Sequence, residues 1–158
     1  MTQEPKRSSG KSGKPRRAAV RPRRGRVPDP ARARAVRQFA VTAARLLKDR
    51  HCEDILVLDV RSRSDVTDYI VIGSGTSDRQ IRSVADEVRH LAQGGTVPVF
   101  GRAVDASANW AVVDFVDVVV HVFAPAARAH YDLEMFWGDA PRLVWRRVIR
   151  ATKKKMGP

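Results

Sequence analysis

Several features are scarce in this 158-residue sequence, and each scarcity excludes a class of protein. The single cysteine, Cys52, excludes an intramolecular disulfide and is typical of a reducing compartment. No stretch approaches 18 consecutive apolar residues, so the sequence predicts no membrane span. The length suits one domain with its own core. We therefore expect a one-domain cytoplasmic protein that does not enter a membrane.

Acidic residues are rare at both ends of the chain. Residues 1–37 contain thirteen Lys or Arg against two acids, and 142–158 contain seven against none, whereas the part between has ten against fifteen. This distribution predicts a disordered basic arm over 1–28, a mildly acidic domain over 29–140 and a basic C-terminal tail over 141–158. Since each neutralised phosphate releases counterions, both ends favour contact with RNA.

An Arg-rich, acid-poor start is also typical of an organellar transit peptide. Residues 1–27, however, contain almost no large apolar side chain with which to form an amphipathic helix. We therefore favour a basic arm in a bacterial-type cytoplasm over a targeting segment.

Apolar periodicity and β-branched runs predict eight elements after residue 28. Helices are predicted from Asp29-Pro30 to near Arg50, from a capping box at Ser77 and Gln80 to Gly94-Gly95, and from Pro125 to near Gly138. Strands are predicted over 54–60, 69–74, 97–100, 110–115 and 117–123. The first two strands and the last two are close enough to form hairpins. The order predicts an α/β (α+β) fold, in which helices cover a five-stranded mixed sheet.

The stretch GSGTSD, residues 73–78, joins a predicted strand to a helix, as phosphate-binding turns do. It lacks the lysine of G-x-x-x-x-G-K-[ST] and does not fit G-x-G-x-x-G, and Asp78 would repel an anion. Nucleotidyl transfer would also need two carboxylates on one face to hold metal ions. Asp86 and Glu87 are instead adjacent on a helix, where their side chains diverge by about 100°. We interpret the glycines as part of a tight structural turn.

No catalytic or metal-binding motif appears elsewhere. The four histidines and Cys52 form no C-x-x-C or H-x-x-x-H, and no serine lies in G-x-S-x-G. His121 alternates with valines in a predicted strand, a setting more typical of a hydrogen-bonded structural histidine than of a catalytic one. We expect no enzymatic activity, metal or cofactor.

Acidic and aromatic side chains concentrate between 104 and 139, where six acids are opposed only by Arg128. Aromatic anchors ringed by acids suit docking to a basic protein. Alternatively, the aromatics form the core and the acids a solvated face. We expect Phe115 and Phe123 in the core, and the sequence leaves both interpretations open for Trp110, Tyr131 and Trp137.

Three segments together resemble the ribosomal silencing factor family RsfS, also called Iojap-related proteins: DYIVIGSGTSDRQIRSVADEV (68–88), NWAVVDFVDVVVHVF (109–123) and YDLEMFWGDA (131–140). The similarity covers about 39–140. It implies an α/β fold with nucleotidyltransferase-like topology but without the catalytic carboxylates.

The resemblance also implies a function. Members bind the large ribosomal subunit through ribosomal protein fourteen, block joining of the small subunit and repress translation, and they can form a homodimer when free. Ribosomal RNA would be contacted through the basic tails. The implied partner-binding residues are Trp110, Asp114, Asp117, Tyr131, Leu133, Glu134 and Trp137.

One position departs from the family pattern. The family usually has glycine where DFVD places Val116. Because a β-branched residue is strained at positive φ, either this hairpin turns differently or the family's glycine does not need that conformation. Two rival functions stay open, a nucleotidyltransferase and an RNA-binding ribosome-assembly factor that acts through its tails.

Overall fold

The computed structural model describes residues 29–93, 95 and 97–148. The predicted arm over 1–28 and the tail beyond 148 lie outside these residues. The helices are α1 (Pro30–Asp49), α2 (Asp78–His90), α3 (Pro125–Tyr131) and α4 (Leu133–Phe136). The strands are β1 (Glu53–Asp59), β2 (Tyr69–Ser74), β3 (Gly101–Val104), β4 (Trp110–Asp114) and β5 (Val118–Phe123). In this part of the chain, no helix is long and apolar enough to cross a membrane.

The five strands form one mixed sheet in the order β1-β2-β5-β4-β3. β2 and β5 run parallel, whereas β1–β2, β4–β5 and β3–β4 are antiparallel. The predicted five-stranded mixed sheet is therefore confirmed, and so is each of the two predicted hairpins.

The sheet has two differently covered faces. α1 and α2 pack on one face, over a core that includes Val71 and Val120. The other face carries a smaller core with Ile72 and Phe123, against which the α3–α4 segment packs. Since strand side chains alternate between faces, Val120 of β5 points to α1 and α2, while its neighbour His121 lies on the face covered by the α3–α4 segment. Both Phe115 and Phe123 are fully buried, as predicted.

Both long helices begin where the sequence predicts. The Asp29 carboxylate accepts a hydrogen bond from the Ala31 N–H at 2.9 Å, and proline follows at the first helical position. At α2, the Ser77 hydroxyl accepts from the Gln80 N–H at 3.2 Å. The Gln80 carboxamide accepts in return from the Thr76 N–H at 2.6 Å, one residue before the capping residue.

The glycines of the turn after β2 allow close packing. A Cβ built on Gly73 would lie 2.6 Å from the Leu47 side chain of α1, and one on Gly75 would lie 2.6 Å from Cγ1 of Ile81 in α2. Contacts this short require the neighbouring side chains to move. These glycines therefore allow helix side chains to pack closely against the end of β2.

The third strand was predicted four residues too early. Residues 97–100 are irregular, and β3 begins at Gly101. Pro98 has no N–H to donate to a neighbouring strand. Pairing with β4 begins only where the Phe100 N–H donates to the Asp114 carbonyl at 2.7 Å.

The predicted single helix after Pro125 is two short helices. Asp132 adopts a left-handed conformation with φ of 44° and separates α3 from α4. Its N–H donates to the Arg128 carbonyl at 2.9 Å, which closes the last turn of α3. The break turns α4 in a new direction.

The packed part of the chain extends beyond the predicted boundary at 140. The Asp59 N–H donates to the Pro141 carbonyl, and the Leu143 N–H donates to the Val57 carbonyl, each at 2.8 Å. Trp145 is then buried in the core on the α1 side of the sheet. Residues 141–145 thus cover the outer edge of β1 rather than belonging to a separate tail.

Candidate protein-docking surface

Trp110, at the start of β4, is the centre of an aromatic cluster on the second face of the sheet. Its ring stacks on Phe123 of β5 with centroids 5.0 Å apart, and it contacts Tyr131 of α3 at 4.6 Å. The indole Nε1–H donates to Nδ1 of His121 at 3.2 Å. β4, β5 and α3 therefore hold the indole in one orientation, with Tyr131 at the exposed side of the cluster.

His121 is kept neutral by its surroundings. Burial lowers the pKa of its imidazole from 6.5 to about 4. A neutral imidazole has one ring nitrogen free to accept a hydrogen bond, and here Nδ1 accepts from Trp110. This histidine positions Trp110, in agreement with the structural role that the sequence favours.

An ion pair fixes α4 after the break at Asp132. The Arg128 guanidinium binds Glu134, with Nε donating to Oε1 at 2.8 Å and Nη2 donating to the same oxygen. Its Nη1 also donates to the Ser74 hydroxyl at the end of β2, at 2.8 Å. Glu134 and Arg128 together anchor α4 to the sheet.

The orientation of α4 exposes two large apolar side chains. Leu133 and Trp137 are spaced i, i+4 and both pack toward the smaller core. Met135 and Phe136 lie between them and point to solvent, with 80% and 81% of their surface exposed. Such exposure of adjacent large apolar residues is typical of an interaction site.

Carboxylates surround this apolar pair and the Trp110 cluster. Asp132 and Asp139 are exposed on the α3–α4 segment, and the Asp105 Oδ1 accepts from the Trp110 N–H at 3.1 Å. The pKa of Asp105 is lowered chiefly by a hydrogen bond from the Ser107 hydroxyl. The pKa of Asp139 is lowered chiefly by a hydrogen bond from the Arg63 guanidinium. We call the whole area the aromatic–acidic surface; it comprises Asp105, Trp110, Tyr131, Asp132, Met135, Phe136 and Asp139.

Five of the seven residues predicted for partner binding lie together on this side of the sheet: Trp110, Tyr131, Leu133, Glu134 and Trp137. Of these, Tyr131 is the most exposed; Leu133 and Trp137 mainly support α4, and Glu134 is bound to Arg128. The other two predicted residues are Asp114 and Asp117, at the β4–β5 turn.

Neither aspartate of the turn is offered freely to a partner. The Asp114 Oδ1 accepts from the Val116 N–H at 2.7 Å. The Asp117 side chain is fully buried and binds the Arg32 guanidinium of α1 at 2.5 Å. The prediction of Asp117 as a contact residue thus conflicts with its position, because its carboxylate joins α1 to the sheet.

Val116 adopts the conformation that the family's glycine would suit. Its φ is 69°, and the Asp117 N–H donates to the Phe115 carbonyl at 2.8 Å across it. A hydrogen bond from residue i+2 to residue i with positive φ between them defines the rare, strained form of γ-turn. The hairpin therefore keeps its tight turn and places a β-branched residue at its centre.

Met135 and Phe136 were not selected from the sequence. The pattern LEMFW does contain the signal, because Leu133 and Trp137 share one helix face and thereby turn Met135 and Phe136 away from it. The signal depends on α4 packing through Leu133, which lies against the smaller core. Within the described residues, no group of three or more His, Cys, Asp or Glu is placed to hold a metal ion.

Comparison with known proteins agrees with these observations. The family profile "Ribosomal silencing factor during starvation" (RsfS) matches residues 33–157. Ribosomal silencing factor RsfS of Bacillus subtilis is 42% identical over 99 residues, which are 63% of this chain and 84% of that protein. The RsfS protein of Halalkalibacterium halodurans is 35% identical over 112 residues, which are 71% of this chain and 93% of that protein.

The fold is also shared with solved structures. A crystal structure of a Chromobacterium violaceum protein superimposes with a TM-score of 0.59 at 32% identity, covering 66% of this chain and 85% of that one. The profile match continues past residue 140, consistent with the packing of Trp145. The chain belongs to the ribosomal silencing factor (RsfS) family, whose name describes regulation at the ribosome.

Proposed function

We propose that this chain binds the large ribosomal subunit through ribosomal protein fourteen and blocks joining of the small subunit, so that translation is repressed. The proposed place of action is the cytoplasm, where the subunits join. Membership of the RsfS family supports a role at the ribosome, and the aromatic–acidic surface supports docking to a protein.

The exposed pair Met135 and Phe136 is the observation that carries the docking proposal. Large apolar side chains at the centre of an interface contribute most of its binding energy when a partner excludes water from them. Methionine is flexible and polarisable, so it adapts to the shape of a partner's pocket. The ion pair between Arg128 and Glu134 fixes the helix in advance, which lowers the entropic cost of binding.

The carboxylates around this pair favour a basic partner. Both Asp132 and Asp139 are exposed, and Asp139 is paired with Arg63. The Asp132 carboxylate would repel an acidic partner surface. Complementary charge accelerates encounter and discriminates between partners more than it raises affinity. A basic ribosomal protein fits this pattern.

Repression requires no chemical step in this scheme. The bound domain occupies the face of the large subunit at which the small subunit docks, and the two cannot be accommodated together. The basic tails would add sequence-independent attraction to ribosomal RNA. In the absence of ribosomes, the same apolar surface could be covered in a homodimer.

A pair of phenylalanine variants tests the docking surface. We expect Phe136→Ala to weaken binding to purified ribosomal protein fourteen by about 30-fold, the effect of losing roughly 2 kcal/mol at an interface centre. Phe100→Ala is the matched control, because Phe100 is also exposed but precedes β3. Isothermal titration with the full chain measures both. Equal losses in the two variants, or none in either, would contradict the assignment.

The same variants separate docking from RNA binding. If the protein is instead an RNA-binding assembly factor that acts through its tails, Phe136→Ala should leave binding to the large subunit unchanged. Glu134→Ala is a poor probe, because it also releases Arg128 and so disturbs α4 itself.

A further inference from the structure

A second charged surface lies where α1 meets the C-terminal segment. A cavity of about 280 Å³, open to solvent, is lined there by Arg45, Lys48, Asp49, Trp145, Arg146 and Arg147. We call it the basic cleft. Its size is near the lower limit for small-ligand sites, and its walls come from two segments that are about 100 residues apart in sequence.

Trp145 gives the cleft a fixed floor. The indole Nε1–H donates to the Ile55 carbonyl of β1 at 3.2 Å, and the ring is buried in the core. The Trp145 carbonyl accepts from Nε of Arg45 at 2.9 Å, which joins the two walls. The Arg146 guanidinium lies 5.5 Å from the centre of the indole ring. The cleft is therefore part of the packed domain and not of a loose tail.

The lining is strongly cationic. Four basic side chains face a single acid, Asp49. Lys48, Arg146 and Arg147 are exposed, and the salt bridges found in the described part of the chain involve none of the three. Holding like charges in one concave site is unfavourable until an anion neutralises them. Arginine in particular offers several donors that match phosphate oxygens.

The cleft is distinct from the aromatic–acidic surface. Trp145 belongs to the core on the α1 side of the sheet, whereas Trp110 packs on the opposite face. The two sites can therefore be occupied at once. Beyond the described residues the sequence contains four more basic residues, Arg150, Lys153, Lys154 and Lys155.

From this arrangement we infer that the basic cleft binds the phosphate backbone of RNA. The C-terminal wall supplies Arg146 and Arg147 and the α1 wall supplies Lys48, so an anionic strand in the cleft would meet cations from both walls. An acidic protein is less suitable, because the cleft exposes no aromatic anchor of the kind that protein interfaces use. The inference does not rest on docking to ribosomal protein fourteen.

The test replaces one cation from each wall. Full-length Lys48→Gln/Arg147→Gln is compared with Arg79→Gln/Arg89→Gln, which removes the same charge from exposed positions on α2. Binding of a fluorescein-labelled uridine oligonucleotide of about 20 nucleotides is followed by anisotropy over a range of salt concentrations. Circular dichroism melting verifies that both variants fold.

The expected effects follow from counterion release. Each lost contact to single-stranded RNA lowers the slope of log K against log salt by about 0.7, so the cleft pair should lower it by about 1.4. If the affinities of the variant and the unchanged protein are equal at 1 M salt, this difference in slope gives about a 25-fold loss of affinity at 0.1 M salt. Lys48→Gln alone, which leaves the C-terminal basic residues intact, should cost about 5-fold.

Three results would overturn the inference. Equal losses in the cleft pair and the α2 pair would show diffuse attraction rather than a site. No effect of Lys48→Gln would mean that the C-terminal basic residues bind RNA by themselves. Poly-glutamate of equal charge, bound as tightly and with the same dependence on the cleft, would mean that the cleft accepts acidic peptides instead.

Discussion

Val116 should be a source of strain that glycine relieves. The turn is held from several sides: the Phe115 N–H donates to the Val118 carbonyl at 2.9 Å, and Phe115 itself packs on Phe39 with ring centroids 4.7 Å apart. Asp117 is bound to Arg32. These contacts keep φ of Val116 at 69° against the preference of a β-branched side chain.

The net effect of Val116→Gly is the balance of three contributions. Relief of a strained backbone conformation stabilises the fold by about 1–3 kcal/mol. The extra entropy of glycine in the unfolded chain costs about 0.4–1 kcal/mol. The lost valine surface costs up to about 1 kcal/mol, because 36% of Val116 is already exposed. We therefore expect the variant to be neutral or more stable by about 1 kcal/mol.

Val66→Gly provides the matched control. Val66 is 46% exposed and does not have positive φ. Its replacement by glycine therefore adds unfolded-state entropy and removes side-chain surface, but relieves no backbone strain. It should be destabilised by about 1–2 kcal/mol, which leaves a difference of about 2 kcal/mol between the variants. In urea unfolding followed by circular dichroism, that difference separates the midpoints by about 1 M. Equal destabilisation by the two glycines would refute the strain at Val116.

Three further substitutions test the packing and the buried charges. Gly75→Ala should destabilise the fold by about 1–3 kcal/mol in urea unfolding, because the added Cβ meets the side chain of Ile81 in the core. Gly101→Ala is the control, since a Cβ there has nothing within 4 Å and should not destabilise the fold. Equal effects of the two alanines would contradict the close packing at Gly75. Arg32→Met should lower the free energy of unfolding by about 3 kcal/mol, because the buried Asp117 carboxylate loses this cation. Replacing the exposed Arg34 by Met should lower it by less than about 0.5 kcal/mol. A loss below about 1 kcal/mol for Arg32→Met would contradict the stabilising role of the ion pair. Since burial lowers the pKa of His121 to about 4, the unfolded chain binds the extra proton between about pH 4 and 6.5, and stability should fall by about 3 kcal/mol as pH falls through this window. His121→Gln should lose that part of the pH dependence, and an unchanged slope in urea titrations at several pH values would show that the imidazole is not the group responsible.

Features governed by neighbours in sequence were predictable. The start of α1 follows from Asp29 and Pro30, and the start of α2 from Ser77 and Gln80, because capping involves residues within one turn. β2 was predicted with its bounds because a β-branched run ends at the glycine turn. The mixed sheet followed from the order of these elements, although nothing local indicated that β2 would pair with β5 in parallel.

Features decided by distant contacts were not predictable in the same way. The α3–α4 break depends on Asp132 in a left-handed conformation. Aspartate tolerates this conformation, but its presence in a sequence does not predict it. The run containing Trp145 has the charge of a basic tail, whereas Trp145 packs in the core and donates a hydrogen bond to Ile55, 90 residues away. Local composition cannot distinguish a solvated basic segment from one that covers a strand edge.

The candidate site shows the same division. The sequence selected Trp110 and Tyr131, and the structure places their rings in contact. It could not separate the side chains that hold the region together, such as Glu134 with Arg128, from those exposed on it. Asp117 was assigned to the surface by the family resemblance, and only the fold reveals Arg32 beside it.

Sucrose-gradient sedimentation of separated ribosomal subunits, with and without the purified full chain, tests the proposed block of subunit joining. The magnesium concentration is one that permits joining. We predict that the protein sediments with the large subunit and that the joined-ribosome peak shrinks, whereas Phe136→Ala restores that peak. Equal binding to both subunits with joining unaffected would contradict it, and the protein's attraction to ribosomes would then be that of its basic residues for RNA.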